Sequence, residues 1–351
     1  MRSQGEILRP GAVGPLTVLV PAYDEADSIG DTIRSLQEQT VEPEQILVID
    51  DGSTDATAEI ARSLGATVLQ PPENTGSKAG AQSFGLAYVE TEMVMAIDAD
   101  TTLAADAIER LLPAFEDPDV AAACGSVLPR NVGTIWERGR YIEYLLAFGF
   151  FKRIQDHYGK PLISSGCFSV YRTAELRELG GWSTRTMAED MDLTWTIYAA
   201  GKKVRFLPEA VSYPIEPHNL HFMGKQLKRW SHGFVQNVRL HGRSLLGLGF
   251  LRSVVAIAFW DALLASLAYL VLIPVLAVTI SPLVLLAYLI DAPVVLVPVL
   301  WMALERREGG RALASLPGFF VLRIVNGAYM LRALWNELVR RRPLLVYEKG
   351  H

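Results

Sequence analysis

The 351 residues include only two cysteines, Cys124 and Cys167, and neither falls in a CxxC or Cys/His spacing. That excludes a zinc ribbon and a dithiol redox pair, and leaves two buried thiols in a reducing compartment. Positive charge is not in excess: 33 Lys and Arg against 38 Asp and Glu leave a formal net charge of −5. A nucleic-acid binder needs a basic face that releases counterions from phosphates, so nucleic acid is not an expected partner. There is no internal repeat and no low-complexity segment, which excludes repeat architectures. The opening residues 1–16 lack an apolar core of the length a signal peptide needs, so the first domain is expected to stay in the cytosol.

Charge is scarcest near the end of the chain. Between Val254 and Leu304 only Asp261 and Asp291 are charged, and Ser281-Pro282 punctuates the stretch near its middle. Its length suits two membrane spans of roughly 20 residues each. A third apolar stretch, Leu313 to Val339, is interrupted by Arg323, Asn326, Arg332 and Asn336. A third crossing would send Arg340-Arg341-Arg342 to the far side, against the positive-inside tendency. An interfacial helix is therefore preferred to a third span.

The boundaries expected on these grounds are a tail over 1–15, a catalytic domain over 16–245 and two spans within 252–304. An interfacial or third spanning helix over 312–342 and a cytosolic tail over 343–351 follow. The chain should thus be a multi-pass protein of the cytoplasmic membrane with its catalytic domain facing the cytosol, and membrane lipid is an expected partner.

Strands and helices alternate from Leu16 onwards. Apolar runs at Leu16–Pro21, Gln45–Asp50, Thr67–Gln70, Met93–Asp98 and Val120–Ser126 read as strands. Ser28–Gln39, Asp55–Leu64 and Ala104–Phe115 read as helices. This βαβ order predicts an α/β domain with a mainly parallel sheet, whose ligands gather beyond the carboxyl ends of the strands. Two further segments, Thr134–Ile154 and Leu220–Arg243, mix aromatic and basic residues. Membrane-surface helices and ordinary core helices both fit them.

The strand ends are rich in acids. Asp98 and Asp100 follow an apolar strand and can share a hard divalent cation, Mg²⁺ or Mn²⁺, whose shell phosphate oxygens and water complete. Asp50 and Asp51 offer acceptors to a base or ribose, with helix capping by Asp55 as the plainer alternative. Thr75-Gly-Ser-Lys-Ala-Gly80 lacks the order of a phosphate loop, but Lys78 can still meet a diphosphate as a point charge. Glu189, Asp190 and Asp192 approach a helix start near Leu193, where either macrodipole compensation or a general base explains them. In Gln226-Leu-Lys-Arg-Trp230, Arg229 suits a leaving diphosphate and Trp230 a sugar ring.

Taken in order, Pro21-Ala-Tyr-Asp-Glu25, Asp50-Asp-Gly-Ser-Thr-Asp55, Lys78-Ala-Gly80, Asp98-Ala-Asp100, Ser165-Gly-Cys-Phe-Ser169, Glu189-Asp190 and Gln226-Leu-Lys-Arg-Trp230 resemble the processive family-2 glycosyltransferases. This group includes the poly-N-acetylglucosamine, hyaluronan, chitin and cellulose synthases. Tyr347-Glu-Lys349 after the Arg-rich segment is similar as well. The resemblance implies a GT-A fold acting by inversion. It places Tyr23, Glu25, Asp50, Asp51, Lys78, Asp98, Gln226 and Arg229 around a nucleotide sugar, and Asp98 and Asp100 on the metal. Asp190 would be the base, with Glu189 also catalytic, Arg229 and the metal would stabilise the departing diphosphate, and Ser165, Gly166 and Trp230 would hold the acceptor.

The resemblance also implies UDP-N-acetylglucosamine as donor and a growing polysaccharide as acceptor. The alternative is one addition to a polyprenyl-phosphate or other lipid-linked acceptor. Two spans do not enclose a polymer channel, so export of a polymer would need further copies or a partner subunit.

Overall fold

The computed structural model of the chain describes residues 14–290 and 292–346. Most of the expected tail over 1–15, Asp291 and the Tyr347-Glu-Lys349 motif lie outside the described residues.

The first half alternates as its apolar runs require. β1 (Leu16–Ala22) leads to α1 (Ile29–Gln37), β2 (Gln45–Asp50), α2 (Thr57–Ser63), β3 (Thr67–Leu69) and α3 (Lys78–Leu86). Then come β4 (Met93–Ile97), β5 (Thr101–Leu103), α4 (Ala107–Leu111) and β6 (Val120–Val127). α5 (Ile135–Tyr144) runs through a π-helical stretch, Leu145–Phe151, into α6 (Lys152–His157). β7 (Phe168–Arg172), α7 (Thr173–Glu178), α8 (Glu189–Ala199), β8 (Lys203–Pro214) and α9 (Leu220–Leu245) complete the domain.

The strands form one sheet in the order β3-β2-β1-β4-β7-β6-β8-β5. β1, β2 and β4 are buried on both faces between helices, as their unbroken apolar sequences demand. The pairings β1–β2, β1–β4, β2–β3 and β6–β8 are parallel, and β4–β7, β6–β7 and β5–β8 are antiparallel.

This mixture positions the site. The carboxyl ends of β1, β2 and β4 share one edge of the sheet. Antiparallel β7 begins at that same edge, with Phe168 opposite Ile97. Ser165 and Gly166, just before β7, therefore lie beside Asp98, although the sequences are far apart.

Beyond α9 the chain forms α10 (Gly249–Leu267), which continues through a π-helical stretch into α11 (Ile273–Thr279). A 3₁₀ segment, Pro282–Leu289, starts where the Ser281 hydroxyl accepts from the Leu283 amide at 3.3 Å. α12 (Ala292–Glu305) and α13 (Gly309–Leu334) follow. Among the described residues, three helical stretches are long and apolar enough to cross a membrane, Gly249–Thr279, Pro282–Glu305 and Gly309–Val339. By length and composition alone, the segment expected to lie on the surface thus also qualifies as a span.

The contacts of α13 add a constraint. At its start the Tyr141 hydroxyl of α5 donates to Glu308 at 2.9 Å. At its end Glu337 faces His232 Nδ1 at 2.7 Å and accepts from Gln236 of α9 at 2.8 Å and from the Leu344 amide at 3.1 Å. Between these ends the backbones of α5 and α13 meet without side chains between them. A Cβ added to Gly318 would stand 2.4 Å from the Ile135 carbonyl oxygen, and one on Gly139 2.6 Å from that of Gly318.

Candidate active site

One cavity of about 1250 Å³ opens at the carboxyl edge of the sheet and continues between α5, α9, α10 and α13. Tyr23, Glu25, Asp51, Lys78, Asp98 and Asp100 line its outer end; Ser165, Gly166, Glu189, Asp190, Gln226, Arg229 and Trp230 line its middle. The structure therefore brings together all of the expected site residues except Asp50.

The outer end is braced by its own acids. Asp24 has a positive φ of 53°, held by the Ser53 hydroxyl on its amide at 2.9 Å and by its carboxylate on the Thr54 amide at 2.7 Å. Asp55 accepts from the amides of Thr57 and Ala26, both at 3.0 Å, and so ties the loop after β2 to the loop after β1. It does not act as the N-cap of α2, which is Ala56.

Asp50 is buried behind the wall, where it accepts from the Ser53 amide at 3.0 Å and from Gln70 at 2.7 Å. Its carboxylate shapes the turn. The Asp51 carboxylate accepts from the amide and hydroxyl of Thr75 at 2.7 and 2.8 Å, fixing the loop that precedes α3.

Lys78 opens α3, whose first turn is capped by the Ser77 hydroxyl on the Gly80 amide at 3.1 Å. Its ammonium forms an ion pair with Asp98, donates to the Gly166 carbonyl at 3.0 Å, and stands 3.7 Å from Glu189. One cation thus joins the ends of β4, β7 and α8.

α8 begins at Glu189, earlier than the start expected near Leu193, so Glu189, Asp190 and Asp192 occupy its first turn. Asp190 accepts from the Gly166 amide at 2.9 Å through Oδ2 and from the Met191 amide at 2.8 Å through Oδ1. A Cβ on residue 166 would fall 2.9 Å from Asp190 Oδ2, so the close approach needs glycine. Asp192, itself buried, turns away from the cavity to an ion pair with the exposed Arg185 and a 2.6 Å contact to His241. Burial pushes the Glu189 carboxyl above its ordinary 4.5, with Lys78 opposing and Asp190 adding to the rise.

The middle of the cavity has a centre that sequence reading missed. Arg140 of α5 is 2% exposed, and its guanidinium lies 4.5 Å from the centroid of the Trp230 ring. It donates to Gln226 at 2.6 Å, pairs with Glu143 and lies 3.3 Å from Glu216. Tyr144 closes the ring with a 2.6 Å bond to Glu216. Burial raises the Glu216 carboxyl, against the pull of Arg140 and of the Tyr144 hydroxyl.

Lys152 is buried too and donates to the Ser165 hydroxyl at 2.9 Å. Of the basic residues expected at a membrane surface, Arg140 and Lys152 thus serve the interior. Two carboxylates and the Trp230 face make the burial of Arg140 tolerable, and the rings of Phe148 and Phe206 that of Lys152. Of the two cysteines, Cys124 is buried as expected, whereas Cys167 is only partly covered and lines the cavity.

Residues 17–180 match the family model described as glycosyl transferase family 2. The chain carries a family-2 glycosyltransferase domain. Over 223 residues it is 30% identical to a poly-beta-1,6-N-acetyl-D-glucosamine synthase of Staphylococcus aureus and 29% identical to one of Staphylococcus epidermidis. Each alignment covers 62% of this chain and 54% of the relative, so the chain spans about half the length of these curated relatives.

A solved mannosyltransferase of Pyrobaculum calidifontis, PcManGT in complex with GDP-Man and Mn²⁺, shares the fold with a TM-score of 0.67 at 21% identity. That likeness covers 95% of this chain and 89% of the other. The domain is thus of the GT-A class, with apolar helices appended.

The end of β4 offers a donor pair of the kind a hard divalent cation takes. Asp98 and Asp100 present hard carboxylate oxygens two residues apart, and the same cavity wall leaves room for a diphosphate. Among the described residues no cluster of three or more His, Cys, Asp or Glu side chains forms a complete site. Two carboxylates alone do not complete the shell of such a cation.

Proposed function

We propose that the chain transfers N-acetylglucosamine from its UDP donor to a hydroxyl of a growing glycan at the membrane, with inversion at the anomeric carbon. The observation that carries this reading is the position of Asp190. It is held by the Gly166 and Met191 amides in the cavity that also contains Lys78, Asp98 and Trp230. The residues proposed for the donor and those proposed for the acceptor line the same cavity as Asp190.

Inversion in one step requires a base, a donor and an acceptor within one cavity. The acceptor oxygen attacks the anomeric carbon as the bond from that carbon to the diphosphate oxygen breaks, and Asp190 takes the hydroxyl proton. Two amides fix the carboxylate yet leave it lone pairs for that proton. Lys78 and Arg229 line the cavity as cations for the departing diphosphate. Asp98 and Asp100 would hold Mg²⁺ or Mn²⁺, which when bound neutralises charge on the diphosphate. Trp230, backed by Arg140, offers its ring to the acceptor sugar, with Ser165 and Gly166 beneath, and Tyr23 flanks the base.

Detergent-purified full chain supplied with a panel of UDP-, GDP- and dTDP-sugars and either metal should release nucleotide fastest from UDP-N-acetylglucosamine. Asp190→Asn should lower that rate by about 10²–10⁴, the usual share of a general base. Equal turnover in D190N sinks the assignment of the base.

A second reading, one addition to a lipid-linked acceptor, is favoured by the continuation of the cavity between α10 and α13. Product length separates the two: a ladder supports chain extension, and a single organic-soluble product supports the lipid acceptor.

A further inference from the structure

The helix that carries Asp190 begins without a capping side chain. α8 holds Glu189, Asp190 and Asp192 in its first turn, and its N-cap is Ala188, which has no side-chain acceptor for the amides that a helix start leaves free. The place of that turn has to be set by its neighbours.

α9 supplies them. Trp230, Gly233, Asn237 and His241 follow one another at intervals of three and four residues, so they share one face of that helix. Trp230 lines the cavity. A Cβ added to Gly233 would stand 2.6 Å from the Cβ of Ala188 and 2.8 Å from its amide nitrogen, so the two backbones touch. Asn237 is wholly buried. Its Nδ2 donates to the Ala188 carbonyl at 3.0 Å, to the Thr186 hydroxyl at 3.2 Å and to the Gly233 carbonyl one turn back at 3.0 Å. The last bond locks the side chain against its own helix, and the other two grip the loop that enters α8. Beside it Gln236 accepts from the Met187 amide at 2.9 Å, and His241 meets Asp192 at 2.6 Å.

The Ala188 carbonyl held by Asn237 also accepts from the Asp192 amide at 3.1 Å, which starts the ladder of α8. By contrast, the Asn237 Oδ1 is shut off from solvent and accepts from no described residue. An apolar side chain would fill the same space without leaving a buried acceptor unpaired, so the gain from an amide at 237 lies in its donors.

Resting on the transferase reading above, we propose that Asn237 is a positioning residue for the base. It registers the first turn of α8, and with it Asp190, against Arg229 and Trp230 about two turns earlier on α9. One rigid helix then fixes the cation for the leaving group, the acceptor ring and the carboxylate relative to one another, as in-line attack requires.

The test uses the detergent-purified full chain. In Asn237→Ala, hydrogen exchange at the amides of residues 191–194 should quicken by about tenfold or more while that of β4 is unchanged, a readout that needs no substrate. A misplacement of about 1 Å costs on the order of 10²-fold in rate. With UDP-N-acetylglucosamine the variant should therefore lose about tenfold or more in kcat, with the KM for that donor and the Kd for UDP within about twofold of the parent. Asn237→Ser, which keeps one donor on a shorter arm, should fall between the two. A residue that merely held the fold together would move KM, Kd and kcat alike. The proposal is overturned if exchange at 191–194 matches the parent, if kcat stays within about twofold, or if KM and Kd rise as steeply as kcat falls. Where the alanine variant does not fold, the serine variant decides by the same three measures. The transferase reading fails separately, if the parent turns over no nucleotide sugar, and the exchange result then still decides whether Asn237 holds the start of α8.

Discussion

At the scale of single residues, the site depends on carboxylates that the fold treats differently. Asp50 and Asp51 are adjacent, yet Asp50 is consumed by the turn while Asp51 pins Thr75 at the cavity wall. Glu189 is raised by burial, so between its ordinary 4.5 and its folded value it binds a proton that the unfolded chain has lost. Its contribution to stability therefore declines as pH rises through that window. The thermal midpoint of the ligand-free protein should fall less steeply between pH 5 and 7 in Glu189→Gln than in the parent; identical slopes dispose of this account.

Arg140 is the residue with most at stake, because its removal leaves Glu216 and Glu143 without their cation. Arg140→Met should raise the KM for acceptor more than it lowers kcat for nucleotide release. Arg140→Lys should restore binding only in part, since an ammonium cannot both stack on Trp230 and reach Gln226. An equal loss in both parameters would indicate general damage instead.

At the scale of elements, β1, β2 and β4 were legible because central parallel strands are unbroken apolar runs ending in turn residues. β5, β7 and β8 were not. β7 (Phe-Ser-Val-Tyr-Arg) is short and lies antiparallel between β4 and β6, and β8 carries Pro208 and Glu209 at an irregularity in its pairing with β6. The acidic motifs announced the donor end of the site, since each follows a strand. The Arg140 centre gave no such signal, because its partners at 216 and 226 come from β8's exit and α9, and a lone arginine on an amphipathic helix looks like a surface residue.

The contact of α5 with α13 was equally invisible, because two glycines more than a hundred residues apart form it. Gly318→Ala tests it. Alanine gains about 1 kcal/mol over glycine in a helix interior, but its Cβ would meet rigid backbone, and overpacking of that kind costs roughly 1–3 kcal/mol. The net effect should be a lower melting temperature in detergent, followed by gel filtration after heating. A higher one would mean that the two backbones can part.

At the scale of the whole molecule, the ends of α13 limit the topology. Both are bonded to helices of the catalytic domain, through Tyr141 at one end and His232 and Gln236 at the other. Whether a helix tied in this way crosses the membrane or lies on it is decided by labelling. A cysteine at position 341, introduced with Cys124 and Cys167 replaced by alanine, should react with an impermeant maleimide from the same membrane side as one at position 62 on α2. Labelling from opposite sides would make α13 a crossing.

The direct backbone contact at Gly139 and Gly318 also bears on motion. With no side chains to slide between the two helices, α5 and α13 should move as one unit. The freedom needed to admit a nucleotide sugar and release the spent nucleotide is then expected in the short loops after β1 and before α3. Hydrogen exchange should find the fast-opening amides there, around residues 23–26 and 73–77, while α5 and α13 open together and slowly.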